Sequence, residues 1–174
     1  AVEHTSVLRP LHTLQQENLI SLTVVPCDRN GRVSPADIIS AVTSNTGLVV
    51  VNHCSNVSGH VIDTSEIEAK VHACGGYLLI DASQSIGALS LDIRVLKADM
   101  VAFGAHKNLF GIPGIGCLYL RSGLELTPLK TGGTGVRSDL LIQPAQRPLR
   151  YEAGTANLPA LAALEAGVDF IRAT

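Results

Sequence analysis

The chain has 174 residues, of which 46% are hydrophobic and 16% charged, and its formal net charge is −2. This composition indicates one well-buried globular domain and excludes an intrinsically disordered chain. No basic stripe with interleaved aromatic residues is present, and the apolar runs are shorter than the roughly 20 residues that span a bilayer, so neither nucleic acid nor a membrane is an expected partner. Only 3% of the residues are aromatic. The core must therefore consist of Val, Ile, Leu and Ala, which suits a parallel sheet covered by helices.

The four cysteines, Cys27, Cys54, Cys74 and Cys117, include no C-x-x-C pair. This spacing argues against a redox motif or a zinc site, and no metal site is predicted. Cys54 and Cys117 lie in apolar runs, where cysteine usually serves as a small buried hydrophobe. The start of the sequence, AVEHTSVLRP, does not resemble a secretion signal. Together with free thiols, this predicts a cytoplasmic protein.

Apolar residues that recur at spacings of three and four predict the helices. Pro35 follows Ser34 as the first helical residue follows an N-cap. Asp63 and Glu66 have the spacing of a capping pair, and Gly75 is the expected terminator of that helix. The predicted helices are 5–16, a helix that begins at Pro35, 63–74 and 157–172.

Runs of β-branched and aliphatic residues predict the strands, and the run at 47–53 is expected to be buried on both faces. Because strands and helices alternate, the sheet should be mostly parallel with right-handed crossovers. The expected fold class is α/β, a three-layer α/β/α arrangement. The irregular segment 124–150 is expected to run over the surface or into a subunit interface. The predicted strands are 21–26, 47–53, 77–80, 99–103 and 116–120, with a turn at 28–31.

Polar residues follow three of the predicted strands, at the edge of an open α/β sheet where ligands bind. The three strand ends offer an amide, a carboxylate with a second amide, and an imidazole with an amine. In chain order the residues are His53, Ser55 and Asn56, then Asp81, Ser83 and Gln84, then Gly104, His106 and Lys107.

This combination suits pyridoxal phosphate. The cofactor needs an amine for a Schiff base, here Lys107. It also needs a carboxylate beside its pyridine nitrogen, here Asp81, so that the ring can act as an electron sink. Its phenolic oxygen needs hydrogen-bond donors, for which Gln84 and Asn56 are candidates. Its phosphate needs small-residue turns or helix N-termini.

Each of these residues also has a simpler structural interpretation. Lys107 could be a solvated surface charge, and Asp81 could cap a helix. Gln84 and Asn56 could be turn residues, and His106 a core histidine. Their joint placement at one edge of one sheet favours the cofactor site.

Several segments, in order and over nearly the whole chain, resemble the class V aminotransferase family of fold-type I pyridoxal-phosphate enzymes. The similarity is greatest to the cysteine desulfurase and selenocysteine lyase branch. The segments are EHTSVLRPL (3–11), NHCSNVSG (52–59), LLIDASQSIGALSLDI (78–93), DMVAFGAHKNLFGIPGIGCLYL (99–120), TGGTG (131–135) and YEAGTANLPAL (151–161).

The resemblance implies a role for each matching residue. Lys107 matches the Schiff-base lysine, and His106, directly before it, matches a residue that contacts the phosphate. Asp81 matches the carboxylate paired with the pyridine nitrogen. Gln84 matches the donor to the phenolic oxygen, and Asn56 is implied to lie near that oxygen and the substrate.

Two further residues acquire roles through the same resemblance. His4 matches the imidazole that stacks on the cofactor ring and can move protons. Thr134 resembles a residue that reaches the phosphate of the neighbouring subunit, which implies a homodimer. Gly104 departs from the family pattern, because a serine commonly occupies its position and would supply a hydroxyl to the phosphate.

Family members are roughly twice as long or longer, so residues 1–174 are expected to be the central part of the cofactor-binding large domain. The start of that domain, the C-terminal small domain, the substrate-binding arginine and the sulfur-accepting cysteine would lie outside this chain. The expected activity is removal of sulfur from L-cysteine, giving alanine and a persulfide, with a sulfur-acceptor protein as partner.

Two other hypotheses stay open: an aminotransferase or epimerase acting on another amino acid, and a non-catalytic remnant. A nicotinamide-binding domain is disfavoured because the glycine-rich segment 111–116 leads into a strand and lacks G-x-G-x-x-G order.

Overall fold

A four-stranded sheet organises the computed structural model, which describes residues 2–174. The strands lie side by side in chain order, β1 to β4. The first three are parallel, and β4 runs antiparallel to β3. The mostly parallel α/β sheet is therefore confirmed. The strands are β1 (Leu48–Asn52), β2 (Tyr77–Asp81), β3 (Met100–Gly104) and β4 (Gly116–Leu120).

Of the helices in the described part of the chain, the short α4 is the one that the sequence pattern did not predict. A helix of 4 residues is too short to show a 3.6-residue period, and the residue that follows it, Lys97, is left-handed with φ 49°. The other helices begin and end within a few residues of their predicted limits. The helices are α1 (Thr5–Gln16), α2 (Pro35–Ala41), α3 (Ser65–Ala73), α4 (Ile93–Leu96) and α5 (Leu158–Ala173).

The helix ends follow local capping chemistry. Asn157 caps α5 by accepting a hydrogen bond from the backbone N–H of Ala160 at 3.3 Å. Gly75, with φ +76°, follows the end of α3, as predicted. Ser34 occupies the predicted N-cap position of α2, but its side chain makes no capping hydrogen bond. The fixed φ of Pro35 within the first turn favours that helix start instead.

The hydrophobic core lies between one face of the sheet and helices α2, α3 and α4. Strand register places Val51, Ile80 and Val101 on this face, because paired residues of neighbouring strands point the same way. Ile67 and Val71 of α3 are fully buried against it. Each such side chain contributes about 1.5–3 kcal/mol on burial, which secures α3 to the sheet.

The opposite face carries Asn52 and Asp81, the last residues of β1 and β2. Helix α1 buries none of its residues and so adds little to a helical layer there. Residues 2–174 therefore form a four-stranded sheet with a helical layer on one face, and they form the second layer of the predicted sandwich only in part.

Two strand predictions were wrong in detail. Segment 21–26 has the residues of a strand but forms no part of the sheet, although Val25 packs against the core. Strand β1 is not buried on both faces, since Leu48 is 44% exposed and Val49 and Val50 are only partly buried. Composition indicates that a segment suits a strand, but the neighbour that completes its hydrogen bonds is decided by packing.

Candidate active site at the carboxyl ends of the strands

The carboxyl ends of β1, β2 and β3 lie at one level of the sheet. Asn52 pairs with Asp81, and Asp81 pairs with Ala102. The parallel ladder continues past both pairs. His53 donates its N–H to the Asp81 carbonyl at 3.0 Å, and the Ala82 N–H donates to the Ala102 carbonyl at 2.9 Å. The segments after these strands therefore leave the sheet side by side, as the sequence predicts.

Asp81 places a buried carboxylate at the centre of this edge. The residue is 8% exposed, and Oδ1 accepts a hydrogen bond from the Ser83 N–H at 2.9 Å. No lysine, arginine or histidine within residues 2–174 pairs with it. A buried carboxylate without a cationic partner is energetically costly, so this position favours a ligand that brings a positive charge.

Lys107 stands on a tight turn three residues after the end of β3. The turn is anchored on both sides, because Ala105 is fully buried and Leu109 is 7% exposed. The Lys107 carbonyl accepts from the Phe110 N–H at 3.0 Å, and the Ala105 carbonyl accepts from the Gly111 N–H at 2.9 Å. The half-buried Lys107 side chain forms no hydrogen bond or ion pair with any described residue. The structure thus presents a primary amine on a rigid support.

His106 is exposed and lies with its ring against Gly104. A Cβ on Gly104 would come within 3.2 Å of His106 Cε1 and 3.3 Å of Nδ1. A serine at this position would displace the ring by a few tenths of an ångström. Glycine therefore allows a closer approach of the imidazole to the backbone.

Gln84 lies next to the lysine turn, because Asn108 Nδ2 donates to the Gln84 carbonyl at 2.6 Å. Asn56 lies on an exposed turn after β1, where Ser55 Oγ accepts from two backbone N–H groups at 3.2 Å. Neither the Gln84 nor the Asn56 side-chain amide is engaged by another described residue. Both amides remain available to a ligand.

His4 and Thr134 occupy different settings. His4 is the N-cap of α1, where Nδ1 accepts from the Ser6 N–H at 3.2 Å and lies 2.8 Å from Ser6 Oγ. Thr134 Oγ1 donates to the Val136 carbonyl at 2.9 Å, within the irregular segment 124–150. The structure connects Asp81, Gln84 and Lys107 through neighbouring strands and turns. It gives no contact between Thr134 and those residues.

Glu3 is a residue of this edge that the sequence-based prediction missed. Its Oε1 accepts from the Asn52 N–H at 2.8 Å, while Oε2 is buried without a hydrogen-bond partner. Burial, reinforced by the charge of Asp81, raises the pKa of Glu3 to about 7. A glutamate before a helix cap ordinarily suggests a solvated charge, and its position directly before His4 was the one available signal.

Two grooves in the structure lie away from this edge. One, of about 480 Å³, runs between segment 86–91 and helix α5. The other, of about 470 Å³, lies around residues 26–37. Neither groove is lined by Asp81, Gln84 or Lys107.

No helix in the described part of the chain is both long enough and apolar enough to cross a membrane. No group of His, Cys, Asp and Glu side chains suited to a metal ion was found among residues 2–174.

Comparison with known proteins agrees with the fold and the motifs. The family model described as aminotransferase class-V matches residues 1–174. The chain therefore belongs to the class V aminotransferase family.

Among curated relatives, the chain is 37% identical over 175 residues to a probable cysteine desulfurase of Methanothermobacter thermautotrophicus, covering 98% of this chain and 43% of that protein. It is 34% identical over 177 residues to a cysteine desulfurase of Dickeya dadantii, covering 99% of this chain and 43% of that protein. The chain thus spans less than half the length of these relatives.

Solved structures are also similar to this chain in fold and sequence. The apo structure of a cysteine desulfurase from Thermococcus onnurineus NA1 superposes with a TM-score of 0.84 at 32% identity, covering 98% of this chain and 44% of that one. The structure of SspA in complex with cysteine has a TM-score of 0.81 at 26% identity, covering 97% of this chain and 45% of that one.

Proposed function

We propose that this chain is the central part of the large domain of a cysteine desulfurase that uses pyridoxal 5′-phosphate. The proposed reaction removes sulfur from L-cysteine, leaving alanine and a protein persulfide. The observation that carries the proposal is that two neighbouring strands end in an unpaired lysine on an anchored turn, Lys107, and in a buried carboxylate without a cationic partner, Asp81. Relatives at 37% and 34% identity with this activity in their names support it.

The residues of the edge fit this cofactor chemically. Asp81 lacks a cation, which a protonated pyridine nitrogen would supply. Lys107 supplies the amine for covalent attachment, and the unengaged amides of Gln84 and Asn56 are donors for ring oxygens. His106, held against Gly104, is the neighbour proposed to contact the phosphate. The cofactor, when bound, supplies an electron sink that stabilises negative charge at the substrate Cα.

Two side chains of the chain are proposed to handle protons. Lys107 Nζ, which no other described group engages, is the base for the substrate Cα proton. His4 Nδ1 accepts the Ser6 N–H, so in the neutral ring the proton resides on Nε2. Nε2 is then the atom from which His4 can transfer a proton.

None of the chain's cysteines is proposed as the sulfur-accepting nucleophile. Burial raises the pKa of the Cys117 thiol, which lowers its thiolate content. Cys54 Sγ is within 3.8 Å of the Gly59 carbonyl, and its thiol points to that loop. The sulfur would instead pass to a thiol outside these 174 residues and from there to a sulfur-acceptor protein.

The proposed setting is a cytoplasmic homodimer. Four free cysteines support a reducing compartment. Thr134, which contacts none of the other proposed site residues, is assigned to the phosphate of a second subunit. The exposure of apolar side chains in segment 124–150, such as Leu141 at 103% and Ile142 at 76%, supports an interface there.

The test is reductive trapping. The protein is incubated with millimolar pyridoxal phosphate, reduced with borohydride and digested, and the modified peptide is identified by mass. We expect the adduct on Lys107, its loss in Lys107→Ala, and an unchanged yield in Lys130→Ala, which removes an exposed lysine.

An adduct that persists at wild-type yield in Lys107→Ala would refute the lysine assignment. An absence of any adduct in the wild type would favour the non-catalytic remnant. With the complete enzyme, formation of alanine from cysteine distinguishes a desulfurase from an aminotransferase, which would instead form a keto acid.

A further inference from the structure

Glu3 is tied to the outer edge of β1 at the level of Asp81. The N–H of His53 points toward β2, where it meets the Asp81 carbonyl, so the N–H of Asn52 points the opposite way. Glu3 Oε1 accepts that outward N–H at 2.8 Å, and Asn52 Nδ2 donates to the Val2 carbonyl at 3.0 Å. Residues 2–3 thereby hold the start of α1, and with it His4, beside the strand ends.

The second oxygen of Glu3 is the unusual feature. Oε2 is buried and has no hydrogen-bond partner, so an ionised Glu3 would place negative charge there without compensation. Asp81, in register with Asn52 on the adjacent strand, disfavours a second negative charge at the same edge. A proton on Oε2 relieves both effects, because Oε1 remains the acceptor of the Asn52 N–H. Among the described residues, the charged group that acts on Glu3 is Asp81.

We propose that Glu3 is a positioning residue that holds a proton on Oε2 in the cofactor-free protein and releases it when a cationic group pairs with Asp81. The proposal rests on the proposed function, which supplies the cation. It links occupancy of the site to pH, because neutralising the charge of Asp81 makes ionisation of Glu3 easier. By reciprocity, ionisation of Glu3 strengthens binding of the cation.

The first measurement needs no cofactor. The carboxyl carbon of Glu3 is followed by NMR in protein labelled at the glutamate carboxyl carbons, with Glu3→Gln used to assign the signal. We expect a titration midpoint near 7, and a lower midpoint in Asp81→Asn. A midpoint near the ordinary glutamate value of 4.5, or one that Asp81→Asn leaves unchanged, would overturn the proposal.

The second measurement counts protons released when pyridoxal phosphate binds. Calorimetric titrations are run at pH 6.5 in two buffers with different ionisation enthalpies. We expect the wild type to release a fraction of a proton more than Glu3→Gln, which keeps the acceptor for Asn52 but cannot ionise. Glu17→Gln, at the other end of α1, should match the wild type. Equal release by the wild type and Glu3→Gln would contradict the link to binding.

The two measurements separate this proposal from the proposed function. If the wild type binds no pyridoxal phosphate, both the proposed function and the proton link to the cofactor are refuted. The NMR titration would still decide whether Glu3 and Asp81 are coupled. If the cofactor binds and is trapped on Lys107 but Glu3 titrates normally, the proposed function stands and Glu3 has no part in it.

Discussion

His53 shows how burial changes the chemistry of a residue that looks like a ligand in the sequence. It follows β1 and was grouped with the polar strand-end residues, yet it is 8% exposed with Nδ1 lacking a hydrogen-bond partner. Burial lowers the pKa of His53, and the carboxylate of Asp63 opposes that shift. The unfolded chain therefore binds a proton more readily than the folded one at mildly acidic pH.

This difference predicts a pH-dependent stability. The contribution of neutral His53 should be fully present above about pH 6.5 and lost as the pH falls through its lower folded-state pKa. In His53→Gln, the loss of unfolding free energy between pH 7 and pH 5 should be smaller than in the wild type, because the variant has no buried imidazole to protonate. Urea unfolding at both pH values measures it, with His12→Gln on exposed α1 as control. A loss equal to that of the wild type would contradict the assignment.

Glu3 changes the stability of the fold with pH in the direction opposite to His53. Because its pKa is raised to about 7, its neutral form contributes stability that is fully present below the unfolded-state pKa and lost as the pH rises through 7. Between mildly acidic and neutral pH, a rising pH therefore increases stability through His53 and decreases it through Glu3. Measuring His53→Gln in a Glu3→Gln background separates them.

Among the elements, α5 supports the turn that carries Lys107. Gly167 of α5 is buried, and a Cβ there would collide with the carbonyl oxygen of Leu109. Phe110 and Phe170 add an edge-to-face contact with ring centroids 5.6 Å apart. A helix at the end of the chain therefore positions a turn some sixty residues earlier.

This contact reverses the usual effect of a helical glycine. Replacing an exposed helical Gly by Ala ordinarily stabilises by about 1 kcal/mol, but Gly167→Ala should destabilise by about 2 kcal/mol because backbone must move. The displaced turn should also lower the yield of adduct on Lys107. Ala166→Gly, at an exposed neighbouring position, should cost about 1 kcal/mol and leave the yield unchanged. Chemical denaturation and trapping measure both, and a stabilised Gly167→Ala would disprove the packing argument.

In the molecule as a whole, the carboxyl end of the parallel strands carries the proposed site, and the amino end carries a stabilising polar network. Asp99, fully buried at the amino end, accepts from the Leu78 N–H at 2.7 Å and from His72 Nε2 at 2.9 Å. Its Oδ1 lies 2.9 Å from Arg121 Nε as an ion pair, without hydrogen-bond geometry. Glu68 lies 2.7 Å from His72 Nδ1. This network joins α3, β2 and the end of β4.

Removing Asp99 should therefore cost stability without altering the proposed site. Asp99→Ala leaves the Leu78 N–H and two side chains without their partner, so we expect a loss on the order of 3 kcal/mol. The fraction that remains folded should still be trapped at Lys107, because the network lies at the opposite end of the strands. Thermal unfolding and trapping measure the two effects, with exposed Asp169→Ala as control. A variant as stable as the wild type would show that the network is dispensable.

Local sequence patterns were enough to predict most of the helices and strands of this protein. Periodicity and capping residues sufficed for α1, α3, α5 and the strands of the sheet, because these features depend on neighbours a few positions away. Alternation of strands and helices indicated a mostly parallel sheet. The strand-end residues, Asp81 and Lys107 above all, could be selected because parallel strands bring their carboxyl ends to one edge.

Features that depend on residues far apart in the sequence could be read only from the tertiary structure. It left segment 21–26 outside the four-stranded sheet, since a strand needs a partner that composition does not specify. It also buried Glu3 against Asn52 and seated Gly167 on Leu109, contacts between segments 49 and 58 residues apart. Burial and charge at such contacts arise from the packed chain, so no local pattern encodes them.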